Sequence, residues 1–531
     1  MTGPSGKPVH CIGAVVRTDT LFRFRRTAAL ITLLLTAASV YLIVPDFHTG
    51  KTLMQIEGRR VIYNSAAVAL GTGMFCSLML SLTGYYLISN SFRRDILSRT
   101  GLIIAASPVK NAQYVFGKFL GNALYLAAIM LACMLSAMVM FMIRGEADIQ
   151  PFTFLTIYLW ISIPTILFSS AAALLFESFP RLSGRFGDVL YFFLWAGMFA
   201  TPVALFENEV RMFWVHGLEI VGLIPVMEQV QRQLHTSSMS IGMTDYDATR
   251  PPILYEGLQW SWEIIGLRIL TFVLPAILLA IAAKSFHRFN PARIKSSVRH
   301  SRRNLISGLN TMLKPVSRFI QPLASIGGSR ASIFNAIRAD VFVTLALSPV
   351  TTLAMVIFAI ISLSVDGTSL REGVLPAIVI ALVIALADIA TRDSAGGMMN
   401  LLFTAPKIKR NYVLWKLASA MVVTLSFTLI PIVRLMSGMR PSGISLMIGT
   451  CFVASGAVGL GVLARSQKAF IAFFLMLLYI SLNAADEPVF DFAGFHARAS
   501  VSVQLGYAAL SGVLILAGLL RHAVRCRRGE K

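Results

Sequence analysis

Long apolar runs separated by short charged segments make up most of this chain. Twelve runs are long enough to cross the ~30 Å hydrocarbon core as helices, and they fall near residues 27–45, 63–90, 111–143, 153–177, 187–205, 260–283, 345–364, 373–391, 412–436, 443–464, 468–484 and 502–520. Before the first run, apolar residues of segment 9–24 recur at helical spacing among charges, which predicts an amphipathic helix on the membrane surface. The pattern therefore predicts an all-α polytopic membrane protein with about twelve transmembrane helices.

One charged motif occurs in each half of the chain, between apolar runs in corresponding places. Its members stand at identical spacing and are Arg94, Asp95, Pro108 and Lys118 in the first half and Arg392, Asp393, Pro406 and Lys416 in the second. An Arg-x-Asp motif likewise opens each half, as Arg17 with Asp19 and as Arg338 with Asp340. The repetition predicts two parallel six-span halves, residues 1–284 and 331–531, joined by a linker at 285–330.

Composition and charge agree with this class and orient the chain. Of the 531 residues 56% are hydrophobic, and the mean hydropathy of +0.72 is too high for a soluble domain. The net charge of +22 comes largely from loops and ends, where basic residues set topology, so we expect lipid headgroups and no nucleic acid as partners. The linker has no acidic residue and the C-terminal tail is basic, whereas loop 206–259 is acidic. Both termini and the linker are expected on the cytoplasmic side, and loop 206–259 outside.

Few ionisable residues fall inside the predicted spans, and these are the candidates for a translocation path, because a charge in a bilayer is costly unless paired or hydrated. They are Glu263, Arg268, Asp388 and Arg434. Snorkelling of each side chain to the nearby interface is the alternative explanation. The five cysteines form no CxxC pair, and the histidines and methionines of the outer loops lack metal-ligand spacing, so no metal site is expected.

Each half resembles the membrane subunit of the type 2 ABC exporters. The resemblance rests on Arg17-x-Asp19, on Ser91-Phe-Arg-Arg-Asp95 after the second span, on the run from Arg99 to Ser107-Pro108, and on Tyr114-Val-Phe-Gly-Lys118 at the start of the third span. It implies a permease of two fused halves in the cytoplasmic (inner) membrane, which alternates in access and exports substrate. It implies no catalysis by this chain.

The resemblance also assigns roles to the repeated motifs. Segments 94–106 and 392–405 would be coupling helices that dock on ATPase subunits, with Arg94, Asp95, Arg99, Pro108, Lys118, Arg392, Asp393, Pro406 and Lys416 as coupling residues. Segments 9–24 and 331–343 would be connecting helices that carry Arg17, Asp19, Arg338 and Asp340. The second copy departs from the pattern at Gly396-Gly397, so the two halves are expected to be unequal.

The energy source is expected in other chains. No GxxxxGK[ST] motif occurs in the sequence, so ATP and Mg would be held by two partner ATP-binding-cassette subunits, and periplasmic or accessory subunits are further partners that this class admits. Two other functions stay open. A secondary transporter would use acids or broken polar helices near mid-membrane, and a membrane-embedded lipid-modifying enzyme would need clustered acids or histidines at one face.

Overall fold

The computed structural model describes residues 8–25, 27–179, 182, 184–207, 219–234, 239–286, 289, 332–346, 349–483 and 487–528. Contacts divide the chain into two compact units, Met1–Ser183 with Leu190–Ser297 and Gly184–Val189 with Val298–Lys531. Apart from residues 285, 286 and 289, the predicted linker 285–330 lies outside the described residues.

The first unit is built of helices that follow the apolar runs. They are α1 (Pro8–Phe24), α2 (Thr27–Ile43), α3 (Ser65–Ile88), α4 (Ser91–Leu97), α5 (Thr100–Ala106), α6 (Asn111–Arg144), α7 (Pro151–Ser178), α8 (Arg185–Glu207), α9 (Leu223–Leu234), α10 (Trp262–Leu270) and α11 (Val273–Ser285). Helix α3 packs against α7 and α6, α11 packs against α7 and α6, and the amphipathic α1 lies along α6.

A small sheet outside the spans is the main departure from an all-helical chain. Strand β1 (Lys51–Ile56) pairs antiparallel with β2 (Arg59–Arg60) and with β3 (Met239–Asp245), in the order β2-β1-β3. Glu57 and Gly58 both have positive φ, which suits the tight turn between β1 and β2. The short strands lie within longer polar segments, and hydropathy alone did not predict them.

The second unit contains helices in a similar order. They are α12 (Ile333–Ala346), α13 (Pro349–Ser364), α14 (Gly367–Leu386), α15 (Arg392–Ala395), α16 (Met399–Leu402), α17 (Pro406–Arg410), α18 (Tyr412–Gly438), α19 (Arg440–Ala464), α20 (Gln467–Asn483) and α21 (Val501–Arg528). Helix α12 packs on α18 as α1 packs on α6, and α18 packs on α19 as α6 packs on α7. Helix α14 contains a π-helical turn at Leu370–Val374.

The structure confirms most but not all of the twelve predicted spans as helices of spanning length. Within the described ranges, nine helices are long and apolar enough to cross a membrane, or ten if the bent pair Ile333–Leu345 and Val350–Ser364 is one span. The predicted spans 27–45 and 468–484 correspond to α2 and α20, which have 17 residues each. At 1.5 Å per residue such a helix is about 25 Å long, shorter than a ~30 Å core. The structure thus establishes a multi-pass helical fold, while the twelve-span repeat stays a prediction.

Both predicted coupling helices are interrupted. Segment 94–106 is divided between α4 and α5 at Arg99, which has φ of 60°. Segment 392–405 is divided between α15 and α16 at Gly396 and Gly397, and Gly397 has φ of 69°. A residue in the left-handed region cannot continue a right-handed helix, so each segment is a pair of short helices rather than one.

Two glycines set the distance between α1 and α6. A Cβ added at Gly117 would lie 2.9 Å from Cβ of Val15, and one added at Gly121 would lie 3.3 Å from Cβ of Asp19. Small residues four apart allow two helices to approach closely. In the second unit Trp415 and Ser419 stand at the corresponding places, three and seven residues after the tyrosine of the motif.

We predict that Gly117→Ala destabilises the first unit, because Val15 must move to admit the methyl group. The expected cost is about 1–3 kcal/mol, read as a lower unfolding temperature of the purified chain. Gly13→Ala in α1 is the matched control, since a Cβ there meets nothing within 4 Å. Equal unfolding temperatures for the two variants would contradict this account of the helix contact.

Candidate functional site

The repeated charges form two buried clusters, one in each unit. The first ion cluster comprises Asp19, Arg23, Arg94, Asp95 and Lys118. The second ion cluster comprises Asp340, Arg392, Asp393 and Lys416. Each joins an amphipathic helix to the segment after the second predicted span and to the start of the following long helix.

In the first ion cluster Asp19 is the common acceptor. Nε of Arg23 lies 2.8 Å from its Oδ2, Nζ of Lys118 lies 2.9 Å from its Oδ1, and Arg94 also donates to Oδ1. Lys118 reaches Asp95 as well, at 2.8 Å, and the hydroxyl of Tyr114 donates to the same carboxylate. One lysine on α6 therefore connects α1 with α4.

The second ion cluster repeats this arrangement. Nζ of Lys416 lies 2.8 Å from Oδ1 of Asp340 and 2.7 Å from Oδ2 of Asp393, and Arg392 lies 2.5 Å from Asp340. The hydroxyl of Tyr412 donates to Asp393 at 3.1 Å. Lys416 is completely buried, and Asp340 is 5% exposed. Burial of such charges is tolerated because each one is paired.

The two clusters differ at one position. Four residues after the helix aspartate, the first cluster has Arg23, which donates to Oδ1 of Asn122 at 2.6 Å and to Oγ of Ser91 at 2.8 Å. The second has Thr344 there, and its hydroxyl accepts from Arg392 at 2.8 Å. With three cations and two anions the first cluster carries a net positive charge, whereas two cations and two anions leave the second neutral.

The electrostatic state of Asp19 follows from these contacts. Burial by itself would raise the pKa of Asp19, but Arg23, Lys118 and Arg94 outweigh burial and lower it well below its usual range. The carboxylate therefore stays ionised at any physiological pH, and the first cluster is a permanent ionic contact rather than a proton switch.

Glu177 is a member of this site that the charge pattern did not single out. Its Oε1 accepts the backbone N–H of Ser91 at 2.9 Å and its Oε2 accepts that of Phe92 at 2.7 Å. The carboxylate thus binds the first N–H groups of α4, which have no partner inside the helix. In sequence Glu177 stands next to a charged turn at the end of α7, where an acid is typical of a solvated surface.

Aromatic side chains pack against the tyrosine of each repeated motif, Tyr114 and Tyr412. Tyr114 packs against Phe92, Phe286 and Phe289 in the first unit. In the second unit Tyr412 stacks on His522 of α21, whose Nε2 lies 2.8 Å from the carbonyl oxygen of Lys409. The end of the last helix of each unit therefore holds the repeated segment in place.

The predicted coupling and connecting-helix residues fall into a buried group and a more exposed group. Lys118, Asp95, Lys416, Asp19 and Asp340 are buried and bind other parts of the same unit. Arg17, Arg99 and Pro108 are exposed, Arg338 is half-buried, and Pro406 begins α17. Apolar side chains of the segments are exposed as well: Leu102 is 52% exposed, Ile103 72%, Met398 49% and Leu401 65%. The sequence analysis named the charged residues of the segments and did not single out these apolar ones.

Two of the candidate path residues, Arg434 and Asp388, make backbone contacts within the second unit. Arg434 on α18 donates to the carbonyl oxygen of Val365 at 2.6 Å and to that of Ser362, and so caps the end of α13. Asp388 lies in the turn after α14, where its carbonyl oxygen accepts the N–H of Arg392. The side chain of Glu263 lies outside the described residues.

Arg268 is not the snorkelling side chain that the sequence allows, because it is only 3% exposed. Pro164 lies inside α7 and has no N–H for the carbonyl oxygen of Trp160 four residues earlier. Nε of Arg268 donates to that oxygen at 3.1 Å, and Nη2 donates to the neighbouring oxygen of Ile161 at 2.9 Å. The guanidinium replaces a hydrogen bond that the proline removes.

The same guanidinium also holds a non-helical segment, Glu219 to Gly222, in the middle of the helices. It donates to the carbonyl oxygens of Glu219 and Ile220 at 3.4 and 3.1 Å. Hydroxyls from the centres of α7 and α3 contribute two more bonds, from Thr165 to Ile220 and from Ser77 to Val221. Irregular backbone at this depth requires such partners. Helix α9 therefore starts inside the bundle, whereas the sequence placed the whole of 206–259 as an outer loop.

No family model, no curated protein and no solved structure matches the chain. The fold itself defines the class: the chain is a helical, multi-pass membrane protein. Within the described residues no group of three or more His, Cys, Asp or Glu side chains is arranged to hold a metal ion.

We predict that Lys416→Met destabilises the chain more than Lys118→Met. Without Lys416, Asp393 loses its cation and Asp340 keeps only Arg392, and leaving a buried charge unpaired costs about 3–5 kcal/mol. Without Lys118, Asp95 likewise loses its lysine, but Asp19 retains two cations, Arg23 and Arg94. Thermal unfolding of the purified variants measures this order, with exposed Lys284→Met as the control. A larger fall in unfolding temperature for Lys118→Met than for Lys416→Met would show that Arg23 does not compensate for the lost lysine.

We predict a defined pH dependence for Asp19→Asn. Because the pKa of Asp19 is lowered in the folded chain, its contribution is fully present above the unfolded value near 3.9 and is lost as pH falls below it. The difference in unfolding temperature between wild type and Asp19→Asn should be constant from pH 5 to 8 and shrink below about pH 4. Exposed Asp148→Asn should show no such difference. A change between pH 5 and 8 would contradict a permanently ionised carboxylate.

Proposed function

We propose that this chain is the membrane permease of an ATP-driven transporter of the type 2 ABC exporter class, working with two separate ATP-binding subunits. The observation that carries the proposal is the pair of matched ion clusters. In both units the cluster ties an amphipathic helix, a short segment between two long helices, and the start of the second long helix into one body.

Such a body suits the transmission of force. A partner that moves the segment α4–α5 also moves α1 and α6, because Lys118 binds Asp19 and Asp95 at once. In the second unit Lys416 joins α12, α15 and α18 in the same way. ATP binding would bring the two partner subunits together, draw the segments with them, and shift the long helices between two packed arrangements.

The apolar residues at the tips of the segments are the proposed contacts to the ATPases. Leu102 and Ile103 on α5 and Leu401 and Met398 around α16 are exposed beside buried charges. Exposed apolar side chains next to a fixed polar framework are typical of interface anchors. In this proposal both ends of the chain and the two segments lie on the cytoplasmic side of the inner membrane, and the chain itself catalyses no covalent step.

A secondary transporter driven by an ion gradient is the second candidate, and one observation favours it. The buried segment Glu219 to Gly222 is broken polar backbone at the centre of the helices, which is where such transporters bind substrate and ions. Its carboxylate is engaged, since Glu219 accepts the N–H of Gly222 at 2.7 Å. Transport that continues after ATP depletion and stops when the proton gradient is dissipated would select this candidate.

We predict that Leu102→Ser with Ile103→Ser abolishes association with an ATP-binding subunit. Loss of two central apolar anchors should weaken binding at least tenfold, since each costs about 1 kcal/mol or more. Co-purification from the native membrane measures this, and thermal unfolding should be unchanged because both side chains are exposed. Val489→Ser, at an exposed apolar position that belongs to neither segment, is the control.

The corresponding change in the second unit, Met398→Ser with Leu401→Ser, should weaken association less, because the glycine break leaves that segment in two four-residue helices. If no ATPase accompanies the wild-type chain, or if the serine variants retain it, the permease proposal fails.

A further inference from the structure

A polar cleft lies between α9 and the start of α10, and no residue of the first ion cluster lines it. Its volume is about 260 Å³, below the roughly 300–1,000 Å³ of pockets that hold drug-sized ligands. Glu228, Gln229, Arg232 and Gln233 line one side, and Ser261 lies opposite with two apolar residues of α10. The size suits a headgroup rather than a whole large molecule.

Gln229, which lines the cleft, has a buried side-chain oxygen without a hydrogen-bond donor. This side chain is 9% exposed, and its Nε2 donates to the carbonyl oxygen of Gln259 at 2.7 Å. Because a carbonyl can only accept, the amide orientation is fixed and Oε1 is the remaining atom. No described residue donates to Oε1. A buried acceptor without a donor is unfavourable, so a ligand that brings a donor would be stabilised there.

The charges of the cleft indicate a neutral ligand. Nη2 of Arg232 lies 3.8 Å from Oε2 of Glu228, one helical turn away, so the two charges balance. Besides this pair, the lining contains the amide side chains of Gln229 and Gln233 and the hydroxyl of Ser261. A hydroxyl donates and accepts at once, so a group with several hydroxyls can satisfy both kinds of partner.

The opposite wall of the cleft is apolar and suits the less polar face of a hydroxyl-rich group. Ile264 and Leu267 lie along α10 and present apolar surface to the cleft. A sugar ring carries C–H groups between its hydroxyls and can rest on such a wall while its hydroxyls bind the amides. This combination of balanced charge, amides and one apolar wall distinguishes the cleft from an ion-binding site.

We propose that the cleft between α9 and α10 binds a neutral, hydroxyl-rich group, in chemical class a saccharide. If the saccharide is taken to be the exported substrate, the inference rests on the proposed function. Binding of a saccharide in the cleft does not depend on that function. Pro225 lines the cleft three residues after Gly222, and Leu267 lines it one residue before Arg268, so a bound group would bridge α9 and α10 close to that anchor.

Binding to the purified full-length chain tests the proposal. Native mass spectrometry is run with maltotriose as a free saccharide, a glucosyl diacylglycerol as a lipid-borne one, and plain diacylglycerol as the control lipid. Gln229→Leu removes the acceptor Oε1 and puts no polar side-chain atom in its place, so the variant chain should fold. Gln150→Leu, at an exposed amide before α7, is the matched control.

We expect saturable binding of at least one sugar probe, weakened about tenfold in Gln229→Leu and unchanged in Gln150→Leu. Binding of the glucosyl lipid alone would identify a lipid headgroup, and binding of maltotriose would identify a saccharide that needs no lipid. Absence of saturable binding for both, or equal binding by wild type and Gln229→Leu, overturns the proposal. Neither result affects ATPase co-purification, so the two proposals fail separately.

Discussion

A carboxylate buried at the edge of a helix bundle is the constraint on which the rest of each unit depends. Asp19 and Asp340 could not remain charged without cations, and no single helix supplies enough of them. In both units the chain brings cations from two later elements, Arg94 and Lys118 in the first and Arg392 and Lys416 in the second. This forces three separate pieces of backbone into contact. Packing of α1 on Gly117 and Gly121 then brings the first carboxylate within reach of Lys118. The ionic and apolar contacts therefore determine one arrangement together.

The two units differ in the number of cations and polar side chains around the buried aspartate. The first has a spare arginine and a polar residue, Asn122, to receive it, whereas the second has Thr344 and no corresponding amide. The segment also differs, since a non-glycine residue breaks the first and a glycine pair breaks the second. The two units therefore share an ionic framework but present different segments at their surfaces.

Much of this architecture follows from the sequence because the signals are periodic or repeated. Apolar runs predicted the long helices, and identical spacing of Arg94, Asp95 and Lys118 with their counterparts predicted equivalent places in the fold. The burial of these charged side chains inside each unit could not be predicted. A charged residue in a short segment between spans usually faces water, and only the coincidence with Asp19, far away in the sequence, reverses that expectation. The buried course of Glu219 to Gly222 was missed for a similar reason, since its partners Thr165 and Arg268 are distant along the chain.

The order of residues along the chain has a consequence for membrane insertion. In the first unit Asp19 and Asp95 both precede Lys118, and in the second Asp340 and Asp393 both precede Lys416. A lysine that enters the bilayer alone costs about 2.5–3.5 kcal/mol at the centre of a helix. During synthesis each lysine emerges only after both of its carboxylates have been made. Its helix can therefore enter the membrane beside partners that are already present, whereas a chain that lacks the N-terminal segment with Asp19 would leave Lys118 with Asp95 alone.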